Sequence, residues 1–366
     1  MSAAPAIVAL SCVTPPHSAE QREALRFALE AGGLGGESAR FAEVIYRRSG
    51  VNRRGSCLLT GAEAESERMA RAFLAGGASG PSTGERMDRF GVEAAALAER
   101  AAREAVEKAG GPAGITHTVT VSCTGFVAPG IDHALIDRLG LAPTVRRLHI
   151  GYMGCHGAVN GLAAARAIVR SEPSARVLMV CVELCSLHFQ AGERHDQIVA
   201  NALFADGAAA AVIASDADDP LARVVATGGC VFPASSQAMG WRVGDHGFEM
   251  TLAESVPRLI SEHLRPWLSS WLDGERASLR DLVEHGAWAV HPGGPRVLDA
   301  VASALGLGEE AMAASRGVLA EHGNMSSPTV LFILLRLAAE RKGVRRPTVV
   351  LAFGPGLSAE AALLTV

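Results

Sequence analysis

The segment GYMGCHGA, residues 151–158, places a cysteine among glycines and small residues, directly before a stretch of helical character. If a helix begins here, its unpaired N–H groups and partial positive charge face Cys155 and favour the thiolate. The preceding glycines allow a sharp turn that lets a substrate approach, with the Cys155 N–H as an oxyanion donor. Free cysteine is also among the most buried residue types, so an inert core thiol is the alternative.

A thiolate that forms an acyl-enzyme needs an imidazole and an amide or carboxylate beside it. His291 differs from most of the twelve histidines because it ends the apolar run GAWAV and precedes the turn PGGP. Active sites of α/β sheets form at such strand ends. His156 follows the cysteine directly, so on a helix its side chain points elsewhere. His291 is therefore the predicted partner of Cys155.

Asn324, in the segment EHGNMSSP, directly precedes a strongly apolar helical stretch. Asparagine is a preferred helix N-cap, so a capping role is one interpretation of this residue. The other is an amide donor beside His291. The residues alone leave both interpretations open.

Strands and small-residue helices alternate along the chain, which predicts an α/β fold. Strands are predicted within 116–123, 145–150, 175–184, 202–215, 286–292 and 347–356, and helices within 62–76, 88–111, 133–139, 158–170, 295–306 and 323–342. The same order of elements occurs twice, which indicates an internal duplication with a boundary near 216–220. The predicted halves are 1–218, carrying Cys155, and 219–366, carrying His291 and Asn324.

The bulk composition excludes several classes of protein. Of the 366 residues, 49% are hydrophobic and 20% charged, which is typical of a folded globular chain. The net charge of −4 gives no electrostatic reason to expect nucleic acid or an anionic membrane as partner. No apolar run reaches the roughly 18 residues of a membrane span, and MSAAPAIVAL lacks the basic start of a secretory signal. We therefore expect a cytoplasmic protein.

Cysteine usage indicates free thiols. The seven cysteines are an odd number in a long chain, which argues against a disulfide framework. Cys181 and Cys185 are spaced too widely for a zinc knuckle, and no matching pair follows them. No metal site is expected.

Four segments together resemble the type III polyketide synthases, the chalcone and stilbene synthase-like enzymes of the thiolase fold. They are GYMGCHGA with Cys155, WAVHPGGP with His291, HGNMSSPTV with Asn324, and LAFGPGL with the turn 354–356. The motifs follow the family's order over nearly the whole chain. The resemblance implies a five-layer αβαβα fold of two duplicated halves and a homodimer. It also implies acyl-CoA and malonyl-CoA as substrates, without a metal or redox cofactor.

The resemblance implies a role for each matched residue. Cys155 accepts the starter acyl group, paired as a thiolate with His291. His291 and Asn324 then donate hydrogen bonds to the thioester oxygen of malonyl-CoA while it loses CO2. The resulting enolate extends the chain by two carbons, and repetition and cyclisation give a resorcinol, pyrone or related aromatic. Phe204, in ANALFADGAA, matches a gatekeeping phenylalanine whose apolar face favours loss of the carboxylate, or it is an ordinary core aromatic.

Pocket and CoA-binding positions follow from the same resemblance. The pocket positions are Cys123, Thr124, Cys185, His188, Trp241, Met250, Ser326, Gly354, Pro355 and Gly356. Arg48, in YRRSGVNRRG, matches a basic position at the tunnel mouth, whereas two further basic positions of the family fall on Phe41 and Val44. Cys123 and Cys185 are equally explained as small buried residues at strand ends.

Three departures from the plant enzymes stand out. Met250 replaces a second gating phenylalanine, Trp241 lies near a position that is usually glycine, and Ala128 replaces a methionine that reaches into the partner subunit. Met250 and Trp241, with the stretch VSCTGF, look more like bacterial alkylresorcinol and alkylpyrone synthases. Tetrahydroxynaphthalene-type enzymes share this character.

Other functions stay open at this stage. One is a ketoacyl synthase III-like enzyme that takes its acyl groups from a carrier protein, against which the GPG turn counts. Another is a Cys/His/Asn acyl-CoA hydrolase, which has the same three residue types. A binding paralogue without catalysis is disfavoured because all three candidate residues are present.

Overall fold

The computed structural model describes residues 4–60, 80–215, 217–340 and 344–366. The strands are β1 Ala6–Val13, β2 Ser18–Glu20, β3 Arg53–Gly55, β4 His117–Val121, β5 Arg146–Ile150, β6 Arg176–Leu184, β7 Asp206–Ala214, β8 Ala222–Val231, β9 Met239–Gly244, β10 Gly247–Leu252, β11 Ala287–Val290, β12 Pro347–Gly354 and β13 Ser358–Thr365.

The helices are α1 Gln21–Ala31, α2 Gly36–Arg48, α3 Thr83–Lys108, α4 Ile131–Leu139, α5 Gly157–Ser171, α6 His195–Leu203, α7 Val256–Gly274, α8 Leu279–His285, α9 Pro295–Leu305, α10 Ala313–His322 and α11 Thr329–Glu340. Short 3-10 turns cover Gly154–His156, Cys185–His188 and Glu309–Met312. The helix predicted within 62–76 lies outside the described residues. No helix within those ranges is long and apolar enough to span a bilayer.

The sheet repeats one pairing pattern in the two halves. In the N-terminal half β4 runs parallel to β6, and β6, β7 and β1 then pair antiparallel. In the C-terminal half β11 runs parallel to β12, and β12, β13 and β8 pair antiparallel. The halves join where β1 pairs with β8, through Ala6–Arg223 and Ile7–Ala222. The fold is thus the duplicated α/β arrangement expected from the sequence, while the boundary at 218–219 stays a prediction.

Alternation along the strands separates the layers. In β6, Val177, Met179 and Cys181 face a core shared with α5 and α11, whereas Leu178, Val180 and Val182 face α3 and α4. In β12 the odd-numbered residues from 349 to 353 face α7 and α9, and the even-numbered ones face the shared core. Successive side chains of a strand point to opposite faces, so each sheet is covered on both sides. The result is the five-layer αβαβα thiolase fold.

The central helices are built to be buried. α11 buries six consecutive residues from Thr329 to Leu334, because strands of both halves pack against it. α5 approaches β4 closely through two glycines. A Cβ on Gly157 would lie 2.8 Å from Val121 Cγ1, and one on Gly161 would lie 3.1 Å from Val121 Cγ2. This close packing fixes the start of α5 relative to the end of β4.

Candidate active site

Cys155 lies on a tight turn between β5 and α5. Tyr152 and Gly154 both have φ of 65°, the left-handed region that is strained for a side-chain-bearing residue such as Tyr152. The chain then enters the 3-10 turn Gly154–His156 and continues into α5. Cys155 is 8% exposed and lines the main cavity. The sharp strand–turn–helix predicted for this cysteine is therefore present.

The turn Gly354-Pro355-Gly356 packs directly on the cysteine turn. A Cβ on Gly154 would lie 2.6 Å from Pro355 Cδ, and one on Gly354 would lie 2.4 Å from His156 Cδ2. Gly356 has φ of 121° and pairs with Met239 at the start of β9. Glycine is required at 154 and 354 because the two turns leave no room for a side chain between them.

Backbone hydrogen bonds to a distant segment hold Asn324 in place, and the helix that follows it does not. Its N–H donates to Leu203 O at 2.9 Å, and its carbonyl accepts from Ala205 N at 2.9 Å. Its side-chain Oδ1 accepts from the Ser326 N–H at 2.8 Å, which closes a local turn. Because α11 begins at Thr329, Asn324 does not cap that helix, and the capping interpretation is wrong.

His291 follows β11 and is 1% exposed. Its N–H donates to Leu351 O at 2.8 Å, which continues the β11–β12 pairing. Neither ring nitrogen has a hydrogen-bond partner among the described residues. Burial, with a smaller contribution from the charge of His156, lowers the pKa of His291 to about 3. A buried imidazole with two free nitrogens is costly for a fold unless something else supplies the partners.

The Cys155 thiol is neutral in this environment. Burial raises its pKa to about 12, and the nearby Glu183 carboxylate adds to the rise. Hydrogen bonding from the Ser326 and Asn324 side chains opposes this rise. The sequence-based expectation of a thiolate paired with imidazolium differs from these directions, because burial favours the neutral forms of both side chains.

One cavity of about 580 Å³ opens beside Cys155. Most of the predicted pocket residues line it: Cys123, Thr124, Cys185, His188, Phe204, Trp241, Met250, Ser326 and Pro355. His291, Asn324, Gly354, Gly356 and Arg48 do not belong to its lining. The first two are buried at 1% exposure, and Arg48 is exposed at the end of α2. Among the described residues, the arginines that line the cavity are Arg26, Arg53 and Arg54.

A stack of rings forms one wall of the cavity. His188 stacks on Phe248 with ring centroids 3.9 Å apart, and Trp241 also stacks on Phe248 with centroids 4.9 Å apart. His188 Nδ1 accepts from the Phe248 N–H at 3.1 Å, so its Nε2 donates to Thr124 O at 2.7 Å. Burial lowers the pKa of His188 to about 4, so the ring is neutral. Trp241 pairs with Met250 across the β9–β10 hairpin.

Sequence reasoning missed Glu183, which is fully buried at the end of β6. Its carboxylate accepts from Ser327 Oγ at 2.6 Å, Thr124 Oγ1 at 2.7 Å and Cys123 N at 3.0 Å. Burial raises its pKa against the effect of these hydrogen bonds. The sequence signal that could have identified Glu183 is that it is the single glutamate in the apolar run RVLMVCVEL. Glu183 ties the ends of β4, β6 and the Asn324 segment together beneath Cys155.

Comparisons with known proteins agree with this geometry. Residues 73–217 match the N-terminal domain of chalcone and stilbene synthases, and residues 223–366 match the C-terminal domain. A bisdemethoxycurcumin synthase from Oryza sativa subsp. japonica is 35% identical over 301 residues, covering 78% of this chain and 74% of that protein.

Two solved structures superpose on nearly the whole chain. PKS-I from the brown alga Ectocarpus siliculosus has a TM-score of 0.89 and 30% identity, covering 100% of this chain and 99% of its own. The C-terminal type III polyketide synthase domain of Steely1, a type I/III hybrid from Dictyostelium, has a TM-score of 0.88 and 26% identity, covering 99% of each chain. Fold and site thus define a thiolase-fold condensing enzyme.

This chain belongs to the chalcone and stilbene synthase family. It is a type III polyketide synthase, an acyltransferase that condenses malonyl-CoA with an acyl-CoA starter.

Proposed function

We propose that Cys155 carries the growing acyl chain while His291 and Asn324 bind the thioester oxygen of malonyl-CoA. The observation that supports this most is His291, an imidazole 1% exposed whose two ring nitrogens have no partner among the described residues. A substrate thioester oxygen and the Cys155 sulfur would supply the missing partners. No separate cofactor enters the proposal, since decarboxylation itself supplies the carbon nucleophile.

Loading of the starter begins with Cys155 as a neutral thiol and His291 as a neutral imidazole. Because burial favours the uncharged forms of Cys155 and His291, in this proposal the thiol proton moves to the imidazole only as Sγ bonds to the starter carbonyl. Cys155 Sγ bonds to the starter carbonyl, its proton passes to His291, and the C–S bond to CoA breaks. The proton then returns to the leaving CoA thiolate, which leaves His291 neutral again.

Chain extension uses the hydrogen-bond donors of His291 and Asn324. The thioester oxygen of malonyl-CoA accepts hydrogen bonds from His291 and from the Asn324 amide as the C–CO2 bond breaks. The electron pair of that broken bond forms the enolate. The enolate attacks the acyl-Cys155 carbonyl and expels the Cys155 thiolate. Each such donor is commonly worth about 3 kcal/mol of transition-state stabilisation. The Cys155 thiolate takes up a proton, the extended chain is transferred from CoA back to Cys155 by the loading step, and repetition builds the poly-β-keto chain.

The product class in this proposal is a resorcinol, pyrone or related aromatic with an alkyl chain. Met250 lies beside Trp241 in the cavity wall, and its flexible side chain suits an aliphatic starter of variable length. These two residues support the proposal that the chain is nearer in character to the bacterial alkylresorcinol and alkylpyrone synthases than to chalcone synthase.

The proposed assembly is a homodimer. β5 pairs with β4 on one side, and its four residues Arg146–His149 are exposed. An apolar patch surrounds it: Phe126, Val127, Leu148, Tyr152 and Met153, each at least 39% exposed. An exposed edge strand with apolar neighbours pairs readily with a second copy. Light scattering tests this, since a Leu148→Lys variant should be monomeric where the unchanged chain is dimeric.

Product formation from radiolabelled malonyl-CoA tests the reaction. Cys155→Ala should abolish labelled polyketide and the acyl adduct seen by intact mass. Undiminished product from that variant contradicts the assignment. A hydrolase would release free acid without consuming malonyl-CoA, and a carrier-protein enzyme would need its carrier for loading. Wild-type protein assayed with free acyl-CoA separates all three.

A further inference from the structure

The end of α6 leads directly into Phe204, and its carbonyls are satisfied from outside the helix. The last carbonyls of a helix have no partner within it. Here Asn201 O accepts from Arg54 Nη1 at 2.5 Å, and Ala202 O accepts from Gln21 Nε2 at 2.8 Å. Leu203 O accepts from the Asn324 N–H at 2.9 Å. Three distant segments therefore cap one helix.

Arg54 makes the central contacts of this cap. Its Nη1 also donates to Phe204 O at 3.0 Å, and its Nη2 donates to Gln21 Oε1 at 2.7 Å. The side chain lines the cavity, is 8% exposed, and lies over the Tyr46 ring, whose centroid is 5.5 Å from Cζ. A cation is favourable at a helix C-terminus, where the helix dipole is negative.

Stability alone does not account for a guanidinium at this place. Burial lowers the pKa of Arg54, so holding the charge there costs free energy. Its Nε is buried without a partner among the described residues, which adds to that cost. Two of the three hydrogen bonds that Arg54 makes to the described residues go to backbone carbonyls at the end of α6, those of Asn201 and Phe204.

The same peptide is joined to Asn324. Phe204 and Asn324 form a parallel bridge, in which Leu203 O accepts from Asn324 N and Asn324 O accepts from Ala205 N, both at 2.9 Å. A shift of the Phe204 peptide therefore moves the Asn324 backbone as well. Cys155 lies on a different element, the turn before α5, which Arg54 does not touch.

We propose that Arg54 is a positioning residue, which through its hydrogen bonds to the Asn201 and Phe204 carbonyls holds the Phe204 side chain and the Asn324 amide in register for decarboxylation. The inference rests on the proposed function of Asn324. It predicts a split between two steps. Loss of Arg54 should slow decarboxylation more than loading of Cys155, because the Asn324 amide is one of two proposed donors in decarboxylation, whereas Ser326 also hydrogen-bonds the Cys155 sulfur during loading.

The test compares Arg54→Lys and Arg54→Ala with the unchanged enzyme. Malonyl-CoA decarboxylation should fall roughly 10- to 100-fold in kcat, as expected when a reacting group is displaced by about an ångström. Formation of the acyl adduct on Cys155, followed by intact mass, should fall far less. Guanidinium ion at a non-denaturing concentration should partly restore decarboxylation in Arg54→Ala. Arg258→Met removes an exposed arginine on α7 and is the matched control.

Three outcomes overturn the inference. If the rates of loading and decarboxylation fall by the same factor, Arg54 has a general structural role. If Arg54→Lys leaves the decarboxylation rate unchanged, the several hydrogen bonds of the guanidinium group are not needed. Lack of guanidinium rescue in a folded Arg54→Ala protein counts against positioning as well. If the unchanged enzyme itself fails to decarboxylate malonyl-CoA, the proposed function has failed, and that result is distinct from all three.

Discussion

Gly354 and His156 are in such close contact that a Cβ at 354 would lie 2.4 Å from His156 Cδ2. The same Cβ would lie 2.6 Å from Met153 O, so backbone on one side and a buried ring on the other both block it. The GPG turn of the C-terminal half thus packs closely against the turn that carries Cys155. The position of the cysteine depends on a residue about two hundred positions later in the chain.

Gly354→Ala should displace the cysteine turn. Overpacking of this kind typically costs about 1–3 kcal/mol of stability, and acyl-adduct formation on Cys155 should fall more than the stability loss explains. Thermal unfolding and intact mass measure the two effects. Gly274→Ala, where a Cβ meets nothing within 4 Å, is the matched control and should change neither. Normal loading in Gly354→Ala would show that the two turns are not coupled.

Alkylation of Cys155 by iodoacetamide should accelerate with pH. A thiol whose pKa burial raises to about 12 gains thiolate about tenfold per pH unit through the neutral range. His291, with its pKa lowered to about 3, stays neutral over that range and adds no inflection. Rates read from peptide mapping test this. A plateau below neutral pH would instead show a thiolate–imidazolium pair.

Glu183→Gln should destabilise the fold. The carboxylate accepts hydrogen bonds from Ser327, Thr124 and the Cys123 backbone, and an amide would turn a donor toward one of these donors. Leaving buried groups unsatisfied costs about 1–3 kcal/mol each, measurable by urea unfolding. Glu262→Gln, on the exposed face of α7, should leave the midpoint unchanged. Equal midpoints for both variants would remove Glu183 from the framework of the site.

Trp241→Ala should lengthen the starters that the enzyme accepts. Removing the indole opens the wall that stacks on Phe248, and each methylene that gains a buried place is worth about 0.8 kcal/mol, or about fourfold in selectivity. A panel of acyl-CoA starters with products identified by mass measures the shift. Trp267→Phe, on α7 outside the cavity lining, should keep the original profile. An unchanged profile in Trp241→Ala would mean that the chain grows elsewhere.

The sequence predicted the parts of the site that are local. Cys155 before α5 and His291 after β11 were predicted from a glycine turn or strand end beside an apolar run, which a few neighbouring residues define. The alternation of strands and helices likewise predicted the layers. These features depend on patterns among neighbouring residues, so the sequence alone contains the information needed to predict them.

What the sequence did not predict depends on contacts between distant segments. The shift of the Cys155 pKa is set by burial, which a helix-start argument does not include. Arg54 stands in the basic segment YRRSGVNRRG with no sequence signal for its role, yet it caps α6, which follows it by about 140 residues in the chain. Phe248 was missed because the β9–β10 pairing alone brings its ring between His188 and Trp241. Each case needed the three-dimensional neighbours.

The repeated pairing order of the two halves has an evolutionary consequence. Cys155 precedes the central helix α5 of one half, and Asn324 precedes the central helix α11 of the other. An ancestor with a single half, assembled as a symmetric pair, would have presented the same residue at both places. Under the proposed function, duplication would let the two places diverge, one to carry the acyl chain and the other to supply the amide donor. Neither half alone would then retain the chemistry, whereas the two expressed as separate chains should complement each other.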